Sequence, residues 1–161
     1  MSLSNLVSLK ISLLTRPEWE AVANLAAGIS AQLISPAFFN WNFQTVLDEL
    51  EKSDTLIVKK VELILAFLSF RTYPDRIEIM ALATASSAAR QGFGSNLIQA
   101  LQLIAAQRRL PISLEVHENN QQAVNFYLKN GFSVIGSRKS YYSDGGDAVI
   151  MQSFSNANIQ S

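Results

Sequence analysis

The chain has no cysteine, and its 161 residues include a single histidine. These absences exclude disulfide frameworks, thiolate zinc sites, iron–sulfur clusters and a cysteine nucleophile, and no metal site is expected. An excess of one charge is also missing. Thirteen Lys and Arg offset thirteen Asp and Glu, so no broad basic face is expected to hold nucleic acid by its phosphates. Long hydrophobic runs are absent as well: the longest, Leu63 to Leu68, is far short of the roughly 20 residues that cross a bilayer. Met1 to Thr15 lacks the basic segment, apolar block and small-residue cleavage site of a secretory signal. A cysteine-free chain fits a reducing compartment, and a cytoplasmic protein with no membrane partner is expected. What the chain does have is apolar mass. With 48% hydrophobic residues it should bury roughly 70% of the surface its unfolded form exposes. One domain is expected over residues 1–155, with a frayed Ser/Asn-rich tail at 156–161.

Thr15-Arg16-Pro17-Glu18 has the form of a capping box, with hydroxyl and carboxylate placed to satisfy open amides at a helix start. Val22, Leu25, Ile29 and Leu33 then recur at helical spacing until Pro36 ends the helix. A second helix is predicted over Phe43 to Lys52. The aromatic loop Phe38-Phe39-Asn40-Trp41 between them reads either as a core lid or as a substrate-facing wall. From Asp54 onward the texture changes to short apolar runs. Thr55 to Lys59, Glu62 to Arg71 and Arg76 to Thr84 read as antiparallel strands. A helix over Gly92 to Arg109, a strand over Ile112 to Val116 and a helix over Gln121 to Lys129 follow. Phe132 to Arg138 and Ala148 to Phe154 complete the sheet. The predicted order is two helices, three strands, then helix-strand-helix-strand-strand.

Three segments carry candidate chemistry. In Arg90-Gln91-Gly92-Phe93-Gly94-Ser95, two glycines let the backbone approach a ligand at a helix start, where amides and dipole favour phosphate; a ligand-free glycine turn is the plain alternative. A Walker loop fails because Gly94 is followed by Ser95 and Asn96, and a dinucleotide fingerprint fails at Leu97, its third glycine position. In Leu114-Glu115-Val116-His117-Glu118-Asn119-Asn120, alternation puts Ser113, Glu115 and His117 on one face and Ile112, Leu114 and Val116 on the other. A partly buried Glu115 would be poised as a base by desolvation; otherwise it faces solvent or an ion-pair partner. Asn120 suits the N-cap of the next helix. In that helix Ala123, Phe126 and Tyr127 share a face, and a phenol there is either core or a proton donor to a departing thiolate. Tyr141-Tyr142 and Ser143 to Asp147 read as a loop joining the last two strands.

Taken together these segments resemble the GNAT superfamily of acyl-CoA-dependent N-acetyltransferases, the ribosomal-protein-alanine N-acetyltransferase family above all. The likeness runs from about Ile79 to Met151. It rests on Arg90 to Ser95, Leu114-Glu115-Val116, Asn120, Ala123 to Tyr127, Gly131-Phe132, Arg138 to Tyr142 and Asp147 to Met151 in that order. It implies an α/β fold of the α+β type: a mixed, mostly antiparallel sheet of six to seven strands, flanked by about four helices and splayed to bind acetyl-CoA. It also implies that Arg90, Gln91, Gly92, Phe93, Gly94 and Ser95 cradle the pyrophosphate. Main-chain groups near Leu82, Ala83 and Thr84 would pair with the pantetheine arm, and Asn120 would touch the cofactor.

The general base maps onto Glu115 and the general acid onto Tyr127, with Phe38, Trp41, His117, Tyr141 and Tyr142 on the acceptor side. His117 is a second candidate base. The implied reaction is direct acetyl transfer from acetyl-CoA, as co-substrate, to a primary amine such as the N-terminal α-amino group of a ribosomal protein. Acetylation of a small amine (amino acid or polyamine) and a non-catalytic acyl-CoA-binding module are the alternatives. Three positions depart from the pattern: Ala89 replaces the polar residue that usually opens the pyrophosphate loop, His117 a common arginine, and Gly146 a common acid.

Overall fold

The computed structural model describes residues 10–32, 38 and 41–154. The expectations at Leu33, Pro36, Phe39, Asn40 and residues 156–161 concern positions outside these. Among the described residues seven strands form one sheet: β1 (Lys10–Leu13), β2 (Asp54–Lys60), β3 (Leu63–Thr72), β4 (Ile77–Thr84), β5 (Ile112–His117), β6 (Ser133–Arg138) and β7 (Ala148–Ser153). Their order is β1-β2-β3-β4-β5-β7-β6, and only the β4–β5 pair is parallel. Four α-helices accompany them: α1 (Trp19–Gln32), α2 (Phe43–Leu50), α3 (Phe93–Arg108) and α4 (Gln121–Lys129). The α/β fold and its mostly antiparallel, open sheet are as the sequence predicts. The predicted element order needs one correction, because a strand, β1, precedes the helices. Lys10 to Leu13 is short and mostly exposed on the sheet edge, so no burial pattern marks it in the sequence.

The longest apolar run becomes the central strand. Every residue from Ile64 to Phe70 is buried, because helices cover both faces of β3. One layer packs Val22, Ala26, Val46 and Leu50 of α1 and α2 against Ile57 and Phe67. The other packs Leu97, Ile98, Leu101 and Ala105 of α3, with Val124 and Tyr127 of α4, against Leu56, Leu68, Ile77 and Leu114. At the helix start Thr15 and Glu18 form the capping box. The Glu18 carboxylate accepts both the Thr15 amide, at 2.9 Å, and the Thr15 hydroxyl, at 2.8 Å. The Glu18 amide, which faces the Thr15 side chain, also bonds the Thr15 carbonyl in the 3-10 turn over Arg16–Glu18 that precedes the helix.

Two features of β4 position the site. Opposite Ser69 and Phe70 of β3 its register jumps from Ala81 to Ile79, so Met80 is an extra, bulged residue. The bulge exchanges the two faces: Ile77 and Ile79 join the α3 layer, whereas Ala81 and Ala83 join the α1/α2 layer. Beside it, β4 and β5 pair only at Ile77–Ile112 and Glu78–Ser113, then diverge. From Ile79 to Thr84 the edge of β4 that would face β5 has no strand partner among the described residues.

Candidate active site

The divergence opens a cleft of about 1290 Å³, floored by β4 and β5 and closed at one end by the start of α3. Larger than the pocket of a drug-sized ligand, it has room for an extended cofactor and an acceptor together. On its walls the structure brings together Leu82, Ala83 and Thr84; Arg90, Gln91, Gly92, Phe93, Gly94 and Ser95; Asn120; Glu115 and Tyr127; and Phe38, Trp41, Tyr141 and Tyr142.

The α3 end is a backbone device. Arg90 (φ 62°) and Gly92 (φ 79°) both sit in the left-handed region, and Gly92 caps the helix. Amides of a first helical turn have no partner within the helix, and here Phe93, Gly94 and Ser95 line the cleft. Gly94 also lets α3 lie against α4, since a Cβ there would stand 3.1 Å from Phe126 Cζ. Backbone amides at the positive end of a helix dipole can hold phosphate without excess side-chain charge, which suits a chain of zero net charge. Asn120 is the α4 N-cap, its side-chain oxygen accepting the Ala123 amide at 3.2 Å, and stands on the wall as well.

Glu115 projects from β5 with its side chain 16% exposed and is not alone. Arg138 Nε lies 2.7 Å from its Oε1, and the Tyr141 hydroxyl donates to it. The desolvated carboxylate considered from the sequence is therefore a carboxylate with a counter-ion. That bond to Glu115 is the main cause pushing the Tyr141 phenol up, and burial pushes Tyr142 up to about 12. Tyr127 is buried against Phe126 and Phe132, with ring centroids 5.2 and 5.4 Å away. Burial alone raises its phenol far above the usual value, so it stays a proton donor. Sequence reasoning missed Arg138 and also Glu78, Met80, Asn119 and Gln122 on the walls. Arg138 reaches Glu115 across β7, which separates their strands, and no local spacing signals such a pair.

His117 is placed differently from the expectation. It is 2% exposed and stands behind Phe38 and Tyr142 rather than in the wall. Nε2 lies 2.8 Å from Asp144 Oδ2, and Nδ1 accepts the Asn119 amide at 3.1 Å. With both nitrogens engaged, the ring offers no lone pair with which to act as a second base, contrary to the expectation from the sequence.

A fork in a mixed sheet, with a glycine turn and helix start at its end, defines a class, and the chain belongs to it: residues 19–132 match the acetyltransferase (GNAT) family. Over 57 residues the chain is 39% identical to the peptidyl-lysine N-acetyltransferase YiaC of Escherichia coli strain K12. That match covers 35% of this chain and 36% of the length of that relative. In fold it is similar to the ribosomal-protein-S18-alanine N-acetyltransferase from Escherichia coli, with TM-score 0.77 and 24% identity over 92% of this chain and 94% of that one. A GNAT family acetyltransferase from Elizabethkingia anophelis, solved with acetyl-CoA bound, has TM-score 0.67 and 14% identity over 91% of this chain and 97% of that one. No described helix is long and apolar enough to cross a membrane, and no cluster of metal-ligating side chains occurs among the described residues.

Proposed function

We propose that the protein is an acetyl-CoA-dependent N-acetyltransferase that passes the acetyl group directly to a primary amine, the α-amino group of a protein N-terminus being the acceptor. The observation that carries this reading is the fork: a strand edge left unpaired from Ile79 to Thr84, ending at the amides of α3. An unpaired edge suits an extended arm with amides of its own, and the amides of Phe93, Gly94 and Ser95 suit a pyrophosphate. When bound, acetyl-CoA supplies an activated thioester carbonyl.

The residues then divide the work by position. An α-amino group, with a reference pKa near 8, must lose a proton before it attacks, and Glu115 takes that proton directly or through a water. A backbone amide near Leu82 or Ala83 donates to the developing oxyanion, lowering the barrier by about 3 kcal/mol. Tyr127, kept protonated by burial, returns a proton to the leaving thiolate. Phe38, Trp41, Tyr141 and Tyr142 form an aromatic mouth for the residues behind the amine. Direct transfer needs no cysteine, and the chain has none.

A lysine side chain is the second acceptor reading, favoured by the local identity with a peptidyl-lysine enzyme. The test is incubation with acetyl-CoA and a peptide panel in which either the α-amine or the lysine amine is blocked, read by mass spectrometry. Acetylation only of free α-amines is the expected result. Modification only at lysine transfers the assignment to the second reading, acetylation of small amines alone removes both, and tight CoA binding without turnover identifies a binding module.

A further inference from the structure

The only histidine of the chain ends β5, enclosed on every side. Because Nδ1 accepts the Asn119 amide, the ring proton belongs on Nε2, which donates to Asp144. Asp144 Oδ1 accepts the Gly146 amide at 2.9 Å, and this amide, followed by the His117 ring, holds the Asp144 carboxyl below its usual range. Phe38 and Tyr142 pack against the imidazole with centroids 5.0 and 4.8 Å away. Gly146 leaves the space the ring needs: a Cβ there would lie 2.3 Å from Nε2. Two departures from the pattern the chain resembles, His117 and Gly146, are thus in contact and form one arrangement.

We propose that His117 is a positioning residue for the amine acceptor, fixing the β6–β7 loop through its Nε2–H bond to Asp144 and holding Phe38 and Tyr142, two walls of the acceptor mouth, packed against its ring. The pinning stands on geometry alone; only its purpose rests on the acetyl-transfer reading. His117 touches neither substrate and acts through Tyr142 and Phe38.

A single histidine makes the test direct, since the imidazole nitrogens of the full-length 15N-labelled protein give one set of NMR signals. The expected state is the Nε2–H tautomer with a proton slow to exchange. Asp144→Ala should free that proton and raise KM for the acceptor peptide several-fold, as the loss of one part-buried charge-assisted bond implies, with KM for acetyl-CoA and kcat changing less than about twofold. Asp144→Asn keeps an accepting oxygen and should restore most of the effect. Gly146→Ala should mimic Asp144→Ala in the native chain and add nothing in a His117→Ala background. An Nδ1–H tautomer, a proton still slow to exchange in Asp144→Ala, or equal rises in KM for both substrates overturns the proposal. If no amine is acetylated, the acetyl-transfer reading fails while tautomer and exchange still decide the pinning.

Discussion

A carboxylate that accepts a proton from an ammonium does so against whatever already neutralises it, and for Glu115 that is Arg138. The Arg138 side chain is 59% exposed, so an incoming ammonium can displace it without unpacking the core. Arg138→Gln should lower KM for a cationic acceptor about threefold, the scale of a partly exposed ion pair, and make it more sensitive to salt in steady-state assays. Glu115→Gln should lower kcat at least about 10²-fold if this carboxylate is the base. Tyr127→Phe should lower kcat by a factor that is the same across a pH series, because the buried phenol does not ionise in the assay range. A factor that changes with pH would assign Tyr127 a different part. Glu115 and Tyr127 were legible as residues of the cleft because a carboxylate interrupts an apolar strand and a phenol shares a face with Ala123 and Phe126. The Arg138 contact was not legible, since it is made two strands away.

Among the elements, α3 was legible because its apolar residues repeat at the helical period, and β3 because a short unbroken apolar run bounded by polar residues suits a strand covered on both faces. The bulge at Met80 was not, because it follows from how β4 meets β3 and nothing in a methionine demands it. The glycine turn was legible as a helix start, and its left-handed Gly92 gives a clean test. Nothing lies within 4 Å of a Cβ at that position, so the whole penalty of Gly92→Ala is conformational. About 1 kcal/mol of stability should be lost in denaturant melts, together with weaker CoA binding.

The start of α1 has a pH signature. Lys59 Nζ, 2.7 Å from Oε1, and then the Thr15 amide hold the Glu18 carboxyl down at about 2, from an ordinary 4.5. A depressed carboxyl contributes stability that is complete above its unfolded pKa and is lost as pH falls toward the folded one. Thermal melts between pH 4.5 and 2 should therefore fall more steeply for the native chain than for Glu18→Gln, and the two curves should run parallel above that window.

Seen whole, the molecule is two sheet segments, β1 to β4 and β5-β7-β6, joined by two paired rungs and covered by helices. Binding along the fork should bridge the segments. Coenzyme A at about 100 times its dissociation constant should add about 2.7 kcal/mol and raise Tm accordingly, with new hydrogen-exchange protection over Ile79 to Thr84. Melting unchanged by coenzyme A would remove the fork as a binding site.

The fork also bears on inhibition. An open strand edge selects for the spacing of amides along an extended chain and has little means of telling whose chain it is. A short peptidomimetic with amides about 3.3 Å per residue apart, carrying neither nucleotide nor sulfur, would fill the place of the missing strand as a competitive blocker.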